Sequence, residues 1–533
     1  MNMVRFLRLP MCLGLLACNG AHAVTGTEGS GQSSPHAQMR AAQPGGSSAL
    51  AGSNRGPGGS SPASDGGTVQ RAPISAAASA TVGPDGGTPD GATTDETAPS
   101  GPWSELCSFR AHETGRGIVQ DRWQKNHASL VDSQGAVVLI GSFGGTLVAG
   151  STTLESGGDQ DAFVIKLDRD CQLVWAKSFG GQASGQLWFT AIARDDTDSL
   201  YLSGGLSGKT DFADATTSTG EGYDGFLLKL DQSGQVVWKQ IYTSAAAAVA
   251  VTDMVTDSQH RVTLVGYGGA DTSLGGGPIG FLYSASIPFL AQLTTDGAFG
   301  WSKTFTSADL LYGLATGPAD DGLVLTGWDK SEVDLGTGPL SLGNGGRFLA
   351  KLNSTGTPLW LRALPHGADV DQWNWWKGGV VVDARGSIDV LRDEPQTLPG
   401  DSGDRLLDDS VEQYTKDGTP TWQRRASDAT VFDHEWGSAL AVFSDGRPLR
   451  FGAFTGTTSY GGQTLTSRGG SDVVLLELSP DGEPLSTQAL GGSLDDRALG
   501  VAVDHDDHVF VSYVGDEPDP GGVMDLVVTK LSR

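Results

Sequence analysis

One phrase returns along this chain at an almost fixed interval. "DAFVIKLDRDCQLVWAKSF" begins at Asp161 and "DGFLLKLDQSGQVVWKQIY" begins at Asp224. Further copies follow as "PFLAQLTTDGAFGW", "FLAKLNSTGTPLW", "SVEQYTKDGTPTW", "VLLELSPDGEPLS" and a last "VVTKL" close to Arg533. Successive spacings are 63, 63, 59, 62, 64 and 53 residues. A second phrase of small and β-branched residues ("AIARDDTDSLYLSG", "VAVDHDDHVFVSY") alternates with the first, and each occurs seven times. Short alternating strands repeated at this period predict a seven-bladed β-propeller. The small residues suit the inner strand of a blade. The "FVIKL" segment alternates as a middle strand does. Trp175, Trp238, Trp301, Trp360 and Trp422 recur on the outer strand, where a flat ring fills the widening gap between blades.

The phase of the repeat predicts how the ring closes. The folded region opens at "GPWSELCSF", with Trp103 read as an outer-strand tryptophan, and it ends at "VVTKL" with no outer strand after it. Residues from about Trp103 to Phe109 are therefore expected to pair near Val527 and remove an open sheet edge. The excess length of each repeat lies before the middle strand, as Gly-rich excursions on one face. With 78 glycines and no long amphipathic helical pattern, the fold class is all-β throughout 101–533.

The N-terminus reads as an export signal. Arg5 and Arg8 precede the apolar "LPMCLGLLA", which is too short for a membrane span. "LLAC" ending at Cys18 has the form of a lipobox, so residues 1–18 carry the signal and Cys18 is the expected lipidation site. The alternative is ordinary cleavage after Ala23. Residues 19–100 are rich in Gly, Ser, Pro and Ala and read as a disordered tether. A formal net charge of -27 repels phosphate backbones, which argues against nucleic acid as a partner.

The pattern of Gly, Asp, Phe, Lys-Leu, turn Gly and Trp in "GYDGFLLKLDQSGQVVW" resembles the bacterial seven-bladed β-propeller repeat family known as SBBP, and the resemblance covers 101–533. It implies the propeller fold and an exported or surface-attached protein of a Gram-negative bacterium; it implies no particular activity. Cys171 in place of a turn Gly, Ser486 in place of a Trp, and Ser410 and Tyr414 in the fifth copy depart from it.

Chemistry is less legible. The turn-to-Trp interval in "DQSGQVVW" fits neither a sialidase Asp-box nor the quinoprotein motif, and no cofactor is expected. The acid-rich "RDDTD" and "DHDDH" lack EF-hand spacing, and the nine His show no metal-ligand pattern, so no metal site is expected. Cys107 reads as late in an outer strand and Cys171 as a turn at the opposite end of a blade. That exceeds the ~7 Å Cα reach of a disulfide, and the pair is expected to stay unbonded. Large side chains stand at matching offsets in loops entering the inner strands: Trp188, Trp376, Trp436 and Arg497, with Trp123 two residues off, and with Asp369, Asp371, Trp373 and Trp375 in the loop "PHGADVDQWNWWKGG". Aromatics beside carboxylates at a propeller mouth suit a sugar or peptide. The competing reading is that they plug the gaps between blades. The expected protein is a monomeric envelope lipoprotein, membrane-bound through its lipid alone. Its propeller binds or scaffolds a protein or polysaccharide partner. A carbohydrate-binding adhesin and a hydrolase or lyase with its site at the mouth are the alternatives.

Overall fold

The computed structural model describes residues 103–533 apart from 119–128, 181–184, 213–214, 219–222, 246, 281–285, 306–307, 318–319, 344, 365–378, 397–405, 426–437, 461 and 516–524. The described residues form a seven-bladed propeller of antiparallel sheets, with no helix among them. Blade 2 shows the plan. Its inner strand Gln186–Arg194 pairs with Leu200–Ser207, then Asp224–Leu230, then the outer strand Val236–Tyr242. Successive inner strands pack on one another, and Ser129–Val131 of blade 1 meets the inner strands of both blade 2 and blade 7.

The third strand of blades 1 to 4 is buried along its whole length, because a neighbouring blade covers each of its faces. Its phenylalanines Phe163, Phe226, Phe289 and Phe348 are fully buried, each opposite a glycine of the second strand: Gly141, Gly204, Gly266 and Gly327. A Cβ at Gly204 would lie 2.8 Å from the Phe226 ring, so this glycine is required for close approach.

Closure follows the sequence expectation and extends it. Strand Ser104–Ile118 pairs with Asp525–Ser532 as the outer strand of blade 7, in register Ser104↔Ser532 to Ala111↔Leu526. It then continues along the second strand of blade 1, from Ala111↔Ala149 to Ile118↔Phe143. One nine-stranded sheet therefore runs through the closing seam.

Two expectations are corrected. The register pairs Lys530 with Cys107, as it pairs Lys166 with Trp175, so Cys107 and not Trp103 is the counterpart of the outer-strand tryptophans. Cys107 and Cys171 are disulfide-bonded, with their Cα atoms 5.8 Å apart. The outer-strand position lies beside the turn of the next blade, not at the far end of it, which is why the bond forms.

Candidate functional site

Up-and-down strands divide the loops between two faces. Inner-to-second and third-to-outer turns share one face; second-to-third and outer-to-inner connections share the other. The first face is committed to holding the ring together. Five of the seven inner-to-second turns are tight Asx-type turns, as where Asp195 Oδ1 accepts the N–H of Thr197 and Ser199 at 3.1 and 3.0 Å; Gly317 and Phe443 take the aspartate's place in blades 4 and 6. The third strand sends a lysine into this turn: Lys166 to Asp132 at 2.7 Å, Lys229 to Asp195 at 3.3 Å, Lys351 to Asp320 at 2.8 Å and Lys530 to Asp504 at 3.2 Å. The recurring lysine of the repeat is thereby explained as the internal counter-ion of its own blade.

The same turns clasp their neighbours. Ser133 of blade 1 donates to Asp198 of blade 2 at 2.6 Å, Ser258 of blade 3 to Asp321 of blade 4 at 2.5 Å, and Ser444 of blade 6 to Asp507 of blade 7 at 2.9 Å. All three aspartates have left-handed backbones, with φ of 57°, 49° and 62°. Asp tolerates that conformation better than most residues, and a glycine there would forfeit the carboxylate.

This arrangement also decides the acid-rich stretches. Asp195, Asp196 and His260 converge, as do Asp504, Asp506 and His508. In each group the buried aspartate is already engaged by a lysine ammonium. Burial alone would raise the Asp195 and Asp504 carboxyls, but their hydrogen bonds and the lysine together hold both below the ordinary aspartate value.

The second face carries the inserts. Small hairpins Lys209–Phe212 with Ala215–Ser218, and Glu332–Val333 with Leu340–Ser341, stand between second and third strands, and blade 6 extends its second and third strands from Thr457↔Thr466 out to Tyr460↔Gln463. Of the sequence candidates, Trp188 and Arg497 are described. They occupy equivalent places at the head of their inner strands, Trp188 opposite Gly205 and Arg497 opposite Val514. Trp188 lies across Gly205, where a Cβ would overlap the indole, and meets the Tyr223 ring edge-on at 5.2 Å. Its inner surface is therefore packing, while Tyr223 beside it is 49% exposed. Trp123, Asp369, Asp371, Trp373, Trp375, Trp376 and Trp436 lie outside the described residues.

Sequence reasoning missed two aromatics at the same level. In blade 3 the pair is Ala250 with Tyr267, and in blade 4 it is Leu310 with Trp328. Blades 2, 3 and 4 thus each set one large ring at this height, on the inner strand in blade 2 and on the second strand in the next two. The signal was present as an exchange between "SGGLS" and "VGYGG" or "TGWDK". Tyr312 and Trp328 are buried with Leu310 beneath this face, and the Arg347 guanidinium lies 6.0 Å from the Tyr312 ring centroid.

No family model matches the chain, and no curated protein matches it. Solved structures do. A Kuenenia stuttgartiensis hydrazine synthase chain aligns with a TM-score of 0.42 at 11% identity, covering 75% of this chain and 95% of that one. The Dos1 propeller aligns at 0.41 and 10% identity, over 81% and 95% of the two chains. The polysaccharide lyase Uly1 aligns at 0.41 and 8% identity, over 79% and 92%.

Proposed function

We propose that this chain is an exported, lipid-anchored propeller of the SBBP type whose insert-bearing face binds an envelope protein or a polysaccharide. The observation that carries the reading is the division of labour between faces. One face carries four Asp–Lys pairs and three Ser–Asp clasps that hold its turns together. The other holds the inserted hairpins and, in blades 2 and 3, Trp188, Tyr223 and Tyr267, with Trp328 buried beneath the same face in blade 4. A disulfide across the closing seam supports export, since such bonds persist in oxidising compartments. In sequence, "DVDQWNWW" lies between Leu364 and Gly379 and is rich in aromatic and acidic residues.

The test is a pull-down from envelope fractions with the mature chain, together with a polysaccharide-binding screen. Aromatic anchors in an interface are commonly worth about 2 kcal/mol or more each. Trp375→Ala with Trp376→Ala should therefore weaken capture about 30-fold or more and leave the melting temperature unchanged. A lower melting temperature with unchanged capture would refute the assignment and leave these rings as packing.

A further inference from the structure

The seven seams between blades can be compared at one position. In five of them an outer-strand tryptophan lies over the turn glycine of the next blade. Trp175 covers Gly234, Trp238 covers Gly297, Trp301 covers Gly356, Trp360 covers Gly418 and Trp422 covers Gly482. A Cβ on these glycines would lie 2.6 to 3.2 Å from the indole, and every one has a positive φ, between 73° and 84°. Four of the rings also donate Nε1–H to a backbone carbonyl of the same turn: Trp175 to Gln232, Trp238 to Thr295, Trp360 to Lys416 and Trp422 to Pro480, at 2.8 to 3.2 Å.

The remaining two seams flank the closing strand. Between blades 6 and 7 the outer-strand position is Ser486 and its partner is Trp103, which occupies the turn-glycine place four residues before Cys107. The ring now comes from the other side, and its Nε1–H donates to Ser486 Oγ at 3.2 Å. Between blades 7 and 1 the outer-strand position is Cys107 and the turn position is Cys171, with φ of 58°. The disulfide stands where the tryptophan clasp stands elsewhere.

We infer that Cys107–Cys171 is a redox latch on the ring. It converts a recurring non-covalent clasp into a covalent one at the seam where the two ends of the folded chain meet. When it is reduced, two small thiols replace the indole-over-glycine contact, and Cys171 keeps a backbone conformation that disfavours a side chain. The seam then relies on the continuation of the closing strand along blade 1, on the apolar cluster that packs Phe510, Val514 and Leu526 with Phe143 and Phe163, and on Lys530 Nζ donating to the Arg169 carbonyl at 3.2 Å. It becomes the weakest of the seven, and the closing strand is the segment released. The chemistry is a two-electron, two-proton exchange. A dithiol such as dithiothreitol breaks the S–S bond, leaves a thiol on each cysteine and is itself oxidised to a cyclic disulfide. A disulfide reagent reverses the step and is reduced to thiols.

The experiment uses the mature full chain. Trypsin cleavage after Arg110, on the closing strand, is followed by peptide mass with and without dithiothreitol. The oxidised protein should be cut at least tenfold more slowly than the reduced one. Cys107→Ser with Cys171→Ser should be cut rapidly in both conditions. Cys107→Trp with Cys171→Gly, which writes the clasp of the other five seams into this one, should be cut slowly in both. Equal cleavage of oxidised and reduced wild type would overturn the inference without any variant. So would a Trp/Gly variant as labile as the Ser/Ser variant.

Discussion

Replacing Trp103 with Ala tests whether the first residue of the ring is part of its core. Trp103 is 3% exposed, although it is the first residue of the described chain. It stacks on Phe443 at 6.0 Å and 17°, and the Arg447 guanidinium lies 4.6 Å from the Phe443 centroid. Ser486, which accepts the indole N–H, donates in turn to Glu477 at 2.6 Å, and Glu477 is bound by Arg447. Removing the ring deletes the buried hydrogen bond to Ser486 but leaves the Ser486–Glu477–Arg447 links, so the main loss is apolar contact and a cavity. For a buried tryptophan the expected cost is about 3–5 kcal/mol. A folded unit of about 430 residues has an unfolding entropy near 0.9 kcal/mol/K, so the melting temperature should fall by about 3–6 °C. Trp103→Phe keeps the stacking and should lose about a third of that. Trp103→Gly with Ser486→Trp returns the ring to the orientation of the other seams and should recover more than half of the loss. Scanning calorimetry on the mature chain reads all three. A Trp103→Ala protein melting within about 1 °C of wild type would mean that this residue frays, and the reasoning would fail.

Other outcomes follow from the same packing. Burial, aided by the charge of Asp383 and opposed by the Gln413 hydrogen bond, pushes the Asp389 carboxyl up to about 7. The folded state then holds a proton that the unfolded chain has released. Stability from this group is full below about pH 3.8 and is lost as pH rises to about 7, with an upper bound near 4 kcal/mol. Urea titrations should show wild type weakening between about pH 4 and 7. Asp389→Asn should reduce that slope, leaving the part due to Asp253, whose carboxyl burial likewise pushes up to about 7, and so should Gln413→Lys, which supplies the lysine that four other blades use; an unchanged slope in Asp389→Asn would contradict the assignment. Lys229→Met leaves Asp195 buried without its cation and should cost about 3–5 kcal/mol by urea unfolding, and adding Asp195→Asn should return part of it. Cys18→Ala should release the protein from membrane fractions, and a mature N-terminus at Val24 by mass spectrometry would rule out the lipid anchor.

The repeat made the blades legible because the residues that recur are the ones the seams use. The middle-strand Phe needs a facing glycine, the lysine needs a turn carboxylate, and the outer Trp needs a turn glycine. The strand order and the closing strand could be read for that reason. The cysteine pair was legible too, through an interval that went unused: Trp103 precedes Cys107 by the same four residues that separate Cys171 from Trp175. Placing Trp103 at the tryptophan position shifted the register and put the thiols at opposite ends of a blade. The aromatic level on the insert face was harder to read, because Trp188, Tyr267 and Trp328 sit on different strands and share only height. Side-chain chemistry keeps its spatial role there while its sequence address changes. The left-handed Asp198, Asp321 and Asp507 were hidden differently: a turn position usually given to glycine was held by a residue that also reaches across a seam.

The closing strand also has a mechanical meaning. Any pull on the residues preceding Trp103 arrives at Ser104–Ile118, which is hydrogen-bonded first to blade 7 and then to blade 1. Load applied along that strand shears its hydrogen bonds together rather than peeling them one by one. Before it reaches most of them it meets Cys107, where the disulfide diverts it into the third-to-outer turn of blade 1. With the bond intact, the ring is held at its entry point by a covalent strut that bears tension within five residues of Trp103. A chain tethered by its N-terminus would keep its shape under drag for as long as that strut stayed oxidised.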